Sequence, residues 1–302
     1  GARPSASAAP GDGRPVHAPR RVSMLRSLYI ALFASALPCT SALQLAPLLD
    51  ANRATIDALP ASASELTRLR FAMAYPDAAE ANKMFEEQQA WRAGEGAAVV
   101  SAAAAAVAAA QAGAGWDNAP VRDAAPHAAA INQYITSSQI ATLSTADGDL
   151  VFCIRAAALD DAGLMASVSV EELTDFFLYT KEVHSLIADA RSAASGRLCR
   201  VITCNDLGGL NLAGDASFRN ALSASSKAAT KLYPSLAGPT LLLNLPFLLQ
   251  ALVSLFKPLF PPAVLERLKF EKANNAPEDL AALLTDAGAR KAFLDELQTI
   301  LA

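Results

Sequence analysis

The sequence predicts an α/β protein in which a small helical N-terminal domain precedes a lobe of alternating strands and helices. Hydrophobic residues make up 53 % of the 302 residues and charged residues 18 %, so the chain can bury a sizeable core and wholesale disorder is excluded. Aromatic residues are only 6 %, and alanine, a strong helix former, is abundant, which argues against an all-β sandwich. From about residue 147 strand-like and helix-like segments alternate, which is typical of an α/β lobe.

Helical periodicity dominates residues 43–126, which we predict to be a helical N-terminal domain and linker. Residues 50–91 and the alanine-rich stretch 97–112 are predicted helices, and 116–126, with two prolines, is a predicted loop. Residues 127–273 are the predicted lobe and 274–302 are predicted C-terminal helices. Within the lobe we predict strands at 151–154, 198–204, 240–244 and 268–270, and helices at 170–190 and 218–232.

Charge and cysteine usage exclude several functional classes. The net charge is −4 and no basic stripe interleaves with aromatic residues, so we expect no nucleic-acid partner. The four cysteines and three histidines show no paired metal-ligand spacing, so we expect no metal site and no disulfide scaffold. Cys199 and Cys204 are expected on opposite faces of one strand, as buried, inert thiols.

Enzyme signatures are missing from the sequence. It contains no P-loop, no Gly-x-Ser-x-Gly elbow and no His-Glu-x-x-His motif, and Gly94 and Gly96 lack the third glycine of a dinucleotide site. His184 falls on a predicted amphipathic helix, where we expect a surface or partly buried histidine rather than a catalytic base. We therefore predict a non-enzymatic protein that uses no cofactor.

Residues 1–42 have the layout of a disordered lead followed by a targeting peptide. From Met24 a short basic start precedes the apolar residues 28–38, and small residues follow at Thr40 and Ala42. This is the three-part pattern of a secretory signal peptide, and the apolar run is too short to span a bilayer. We expect a mature N-terminus near Leu43 and delivery to the secretory pathway or a plastid, peripheral to membranes. An ordinary buried helix is the alternative.

Residues 241–256, LLLNLPFLLQALVSLF, form the most informative stretch. Pro246 forbids one continuous helix and Asn244 would be unpaired in hydrocarbon, so a transmembrane span is disfavoured. We predict a strand ending at Asn244 and a helix, 247–256, that begins near the proline. That helix is apolar almost all round, which is typical either of a core helix or of one with protein on one side and lipid on the other.

Four motifs in order resemble the CRAL-TRIO lipid-binding family. They are Asn205-Asp206-Leu207-Gly208-Gly209-Leu210, Leu232-Tyr233-Pro234, Leu243-Asn244-Leu245-Pro246-Phe247 and Leu255-Phe256-Lys257-Pro258-Leu259. The resemblance implies a sheet that forms the floor of an apolar pocket and a gate helix, 247–256, that opens at a membrane. It also implies a lipid or other hydrophobic small molecule as ligand and a transient membrane surface as partner. The lipid-contacting residues it implies are Phe218, Leu222, Phe247, Leu248, Leu252, Phe256 and Lys257.

Two departures bear on the ligand. Phosphoinositide-binding relatives carry an Arg-Lys pair and a glutamate where this chain has Met73-Ala74-Tyr75 and Ala224-Ser225. Lys257 is retained, either as a phosphate partner or as a solvated helix C-terminal cation. We therefore expect a less charged ligand, such as a neutral phospholipid, a sterol-like or isoprenoid molecule or a carotenoid. The rival hypothesis is a protein–protein interaction module with this fold and no transferable lipid.

Overall fold

The described part of the chain begins with helices that precede the sheet. The structure is a computed structural model and describes residues 43–113, 115–135, 140–144, 149–155, 159–208, 214–243 and 268–271. These helices are α1 (Leu45–Ala51), α2 (Arg53–Ala58), α3 (Glu65–Ala74), α4 (Ala78–Ala93), α5 (Ala97–Ala110), α6 (Ala119–Asp123) and α7 (Ala128–Ile131). Side-chain caps start two of them: Ser64 Oγ accepts from the Thr67 amide at 3.1 Å, and Asp77 Oδ1 accepts from the Glu80 amide at 2.9 Å.

The lobe contributes five strands and three helices to the described chain. They are β1 (Ile140–Ser144), β2 (Leu150–Arg155), α8 (Asp161–Ser167), α9 (Val170–Ser195), β3 (Val201–Asp206), α10 (Ala216–Leu232), β4 (Ala237–Leu243) and β5 (Leu268–Glu271). The strand order is β1-β2-β3-β4-β5, in which β1 runs antiparallel to β2 and the remaining pairs are parallel. The predicted α/β class is confirmed.

The long helix α9 has strong local signals at both ends. Ser169 and Glu172 form a capping box, in which the Glu172 amide donates to Ser169 Oγ at 3.1 Å and the Ser169 amide donates to Glu172 Oε2 at 2.8 Å. At the other end Gly196 adopts a left-handed conformation, φ +66°, that glycine accommodates without strain. The helix therefore continues past the predicted limit at residue 190.

Two sequence predictions about local structure are wrong in detail. The predicted loop at 116–126 contains the short helix α6, because Pro120 lies in its first turn, where a missing amide hydrogen costs nothing. The predicted strand at 198–204 begins only at Val201. Residues before it turn towards the N-terminal helices, since the Leu198 amide donates to the Leu43 carbonyl at 2.7 Å.

Helix α9 lies between the sheet and the N-terminal helices. The largest apolar core includes Leu150 and Val201 from the sheet, Leu173 and Val183 from α9, and alanines of α5 such as Ala103. Small side chains on α5 let it approach α9 closely, as the alanine-rich sequence suggests. No single helix among the described residues has the length and apolarity of a membrane span, although α4 and α5 taken together, bent by 79°, do.

Candidate functional site

Helix α9 covers one face of the sheet, and a ring contact identifies that face. The Phe152 ring meets the His184 ring edge-on, with centroids 4.8 Å apart. Because side chains alternate along a strand, Leu150 and Ile154 share this face with Phe152. The register aligns Phe152 with Thr203, and Thr203 with Thr240, so these threonines also face α9. Asn205, aligned with Ile154, does the same.

The two faces of the sheet differ in accessibility. On the face away from α9, the side chains of Val151, Ile202 and Cys204 are each at most 1 % exposed. On the α9 face, Ile154, Thr203, Asn205 and Thr240 are only half-buried. The accessible positions lie towards the carboxyl ends of parallel strands, where open α/β sheets characteristically bind ligands.

Two helices wall this accessible area. Phe177 of α9 and Phe218 of α10 meet edge-on, with ring centroids 6.4 Å apart, and both are half-buried. Leu222 lies one turn after Phe218 on the same face of α10 and is also half-buried. We define the basin as the floor and walls formed by Ile154, Thr203, Asn205, Thr240, Phe177, Lys181, Phe218 and Leu222.

Lys181 brings a charge into the basin. It lies one turn after Phe177 and one turn before His184, on the part of α9 between the sheet and α10. Burial lowers the pKa of the Lys181 ammonium, and it lowers the pKa of His184 well below the usual histidine value, with a smaller contribution from the charge of Lys181. His184 is therefore neutral at pH 7. The prediction of a surface or partly buried His184 is wrong, because this side chain is completely buried against the sheet.

A separate polar network joins the N-terminal helices to the opposite side of α9. Both terminal nitrogens of the Arg92 guanidinium donate to the Glu182 carboxylate, at 2.6 and 2.8 Å. Burial and the neighbouring Glu182 carboxylate raise the pKa of the Tyr233 hydroxyl. Burial also raises the pKa of Tyr179 to about 12, and its hydroxyl donates to the Val121 carbonyl at 2.7 Å. These contacts hold α9 against the N-terminal helices.

The structure describes two of the predicted lipid-contacting residues, Phe218 and Leu222, and both line the basin. The other five, Phe247, Leu248, Leu252, Phe256 and Lys257, lie outside the described residues, as do the predicted targeting peptide and C-terminal helices. Sequence analysis missed Lys181, Thr203 and Asn205. The available signal was the spacing of Lys181, which lies one helical turn after Phe177 and one turn before His184.

Other kinds of site find little support in the described chain. Cys199 and Cys204 are both buried, as predicted. Over the described ranges no group of three or more His, Cys, Asp or Glu side chains could hold a metal ion.

Comparison with known proteins identifies the fold family. The family model described as the CRAL/TRIO domain matches residues 138–285, which include every strand that the structure describes and both walls of the basin. Residues 138–285 form a CRAL/TRIO domain. This confirms the resemblance carried by the four sequence motifs.

A solved structure similar to this CRAL/TRIO protein is the crystal structure of Sfh5, a yeast Sec14-like protein. The two are 11 % identical, with a TM-score of 0.40, and the match covers 73 % of this chain and 69 % of that chain. A search of curated protein sequences finds no match. Membership of the family supports a lipid-binding fold.

Proposed function

We propose that the protein binds a lipid or other small hydrophobic ligand in the basin and exchanges it with membranes. The observation that carries this proposal is the asymmetry of the sheet, which is sealed on one face and accessible between α9 and α10 on the other. Aromatic and aliphatic side chains line the walls, and a few polar groups lie on the floor. That combination is typical of sites for small apolar ligands.

The energetics of such a site favour retention of a chain-like ligand. Each methylene moved from water into an apolar pocket contributes roughly 0.8 kcal/mol. An acyl or isoprenoid chain therefore binds through the Phe177, Phe218 and Leu222 side chains without any need for a strong polar contact.

We further propose that residues 247–256 form the gate over the basin. The support is sequence alone, since these residues lie outside the described part of the chain. The sequence predicts a helix that begins near Pro246 and is apolar almost all round. A segment that contacts the ligand on one side and a bilayer on the other needs this pattern. We also propose that the protein is non-enzymatic and is imported through its N-terminal peptide.

Transfer between vesicles tests binding and gating together. We expect the full chain to move a fluorescent lipid from donor to acceptor vesicles, and the double variant Leu252→Asp/Phe256→Asp to transfer at a much lower rate. Two aspartates on a membrane-facing surface disfavour insertion between lipids, but on an exposed face they leave the fold intact.

The matched control is Gln250→Asp/Ser254→Asp, which places the same charges on the polar stripe of the predicted helix and should transfer normally. Circular dichroism is recorded on both variants. Unfolding of the Leu252/Phe256 variant would identify 247–256 as a core helix, and absence of transfer by the unmodified chain would contradict transfer itself.

A further inference from the structure

We propose that the basin selects an amphiphile with a single negatively charged group, which Lys181 binds. This inference rests on the proposed function and names the chemical class of its ligand. The sequence analysis, with Lys257 as the cation it considered, predicted a lightly charged or neutral ligand. Lys181 adds a positive charge inside the lobe itself.

The position of Lys181 follows from its neighbours on α9. His184, one turn later, contacts the sheet through Phe152. Leu178, three residues earlier, lines a cleft of about 370 Å³ together with Ala228 and Leu232 of α10. Around the axis of α9, Lys181 lies between His184, which faces the sheet, and Leu178, which faces α10. Lys181 therefore projects between the sheet and α10. Lys181 thus contributes to the basin wall an aliphatic stem that ends in an ammonium group.

The two acidic residues that follow Lys181 on α9 bind arginines of the N-terminal helices. Glu182, the adjacent residue, faces the other way and binds Arg92 through both carboxylate oxygens. Asp189 accepts from Arg70 Nε at 2.8 Å. Within the described chain the Lys181 ammonium takes part in no hydrogen bond or ion pair. A half-buried ammonium without a counter-ion from the described chain can be paired by a bound ligand that supplies the opposite charge.

Two polar side chains on the floor extend the same polar region. Thr203 and Asn205 face α9, are half-buried, and have no side-chain hydrogen bond among the described residues. A hydroxyl and an amide both donate to a carboxylate or a phosphate oxygen. One ammonium and two neutral donors suit a singly charged head group, whereas a multiply phosphorylated head group needs several cations.

Binding measurements with matched probes test the assignment. Oleate and oleyl alcohol have the same chain and differ in charge. For phospholipids, the charged probe is a vesicle of phosphatidylcholine mixed with phosphatidylglycerol. The neutral probe is a vesicle of pure phosphatidylcholine. We expect the full chain to prefer the charged member of at least one pair by about tenfold, the contribution of one charge-assisted hydrogen bond.

Three variants locate the effect. Lys181→Met keeps the length of the stem and should abolish the preference while oleyl alcohol still binds. Lys181→Arg should retain the preference. Lys227→Met removes an exposed lysine of α10 and should change nothing. Without ligand, Lys181→Met should also raise the unfolding temperature, because burial disfavours the ammonium that it removes.

Each outcome distinguishes the two proposals. An equal affinity for charged and neutral probes, or a preference that survives in Lys181→Met, would overturn this inference and leave the proposed function standing. A preference within the oleate pair identifies a free fatty acid as the charged ligand. A preference within the vesicle pair identifies an anionic phospholipid. Failure of the unmodified chain to bind any of the probes would overturn the proposed function instead.

Discussion

Replacing Arg70 by methionine is expected to lower the free energy of unfolding by about 3–5 kcal/mol, the usual cost of removing one partner from a buried ion pair. Arg70 on α3 is 3 % exposed. Its Nε donates to Asp189 Oδ1 at 2.8 Å, and its two terminal nitrogens donate to the Ser235 and Cys199 carbonyls at 3.0 and 2.9 Å. Methionine fills much of the space but leaves the carboxylate and both carbonyls without these donors.

Urea denaturation of the full chain measures the effect, and Arg53→Met is the matched control. Arg53 pairs with Glu65 at 2.6 Å, but both side chains are more than 40 % exposed. Exposed pairs contribute about 0–1 kcal/mol, so the control should be close to the unmodified protein. Equal losses for Arg70→Met and Arg53→Met would show that Arg70 does not join the N-terminal helices to the lobe.

The second large effect is expected at Arg92. Glu182 is 1 % exposed and both of its oxygens accept from Arg92. Arg92→Met therefore leaves a buried carboxylate without its counter-ion and should cost about 3 kcal/mol. The double variant Arg92→Met/Glu182→Gln should recover most of this loss, because a neutral amide carries no unpaired charge.

A double-mutant cycle by chemical denaturation separates these contributions. The cycle needs Arg92→Met, Glu182→Gln and the double variant in the same full-length protein. Strong coupling is expected, so that the double variant is more stable than Arg92→Met alone. Additive losses would contradict an energetically important pair between α4 and α9.

The elements that sequence analysis predicted correctly have strong local signals. Strand-like runs identified β2 and β4, alternation identified β3, and helical patterns identified α9 and α10, because these patterns depend on residues close together in the chain. β1 was missed, since a strand of five residues, IATLS, shows too few alternations to distinguish it from a loop. The four motifs predicted the family because they carry order and spacing as well as composition.

The candidate site was less predictable because it depends on tertiary packing. The resemblance implied Phe218 and Leu222 as lipid contacts, and this stays a prediction. Which residues form the floor depends on which face of the sheet α9 covers, and strand alternation is the same for either face. His184 illustrates the difficulty: its helical position suggested partial exposure, and only its contact with Phe152 shows that it is buried. Lys181 appeared as one charge on an amphipathic helix, and its position between sheet and α10 is a property of the fold.

The most direct test of the central claim, that the basin holds a lipid, is mass spectrometry of lipid extracted from the purified full chain. We expect an equimolar lipid from the unmodified protein and little from Thr203→Trp, whose indole would occupy the floor of the basin. Lys227→Trp, which adds the same indole to an exposed position of α10, should retain the lipid. A folded, unmodified protein that yields no lipid and takes none up from vesicles would contradict the claim.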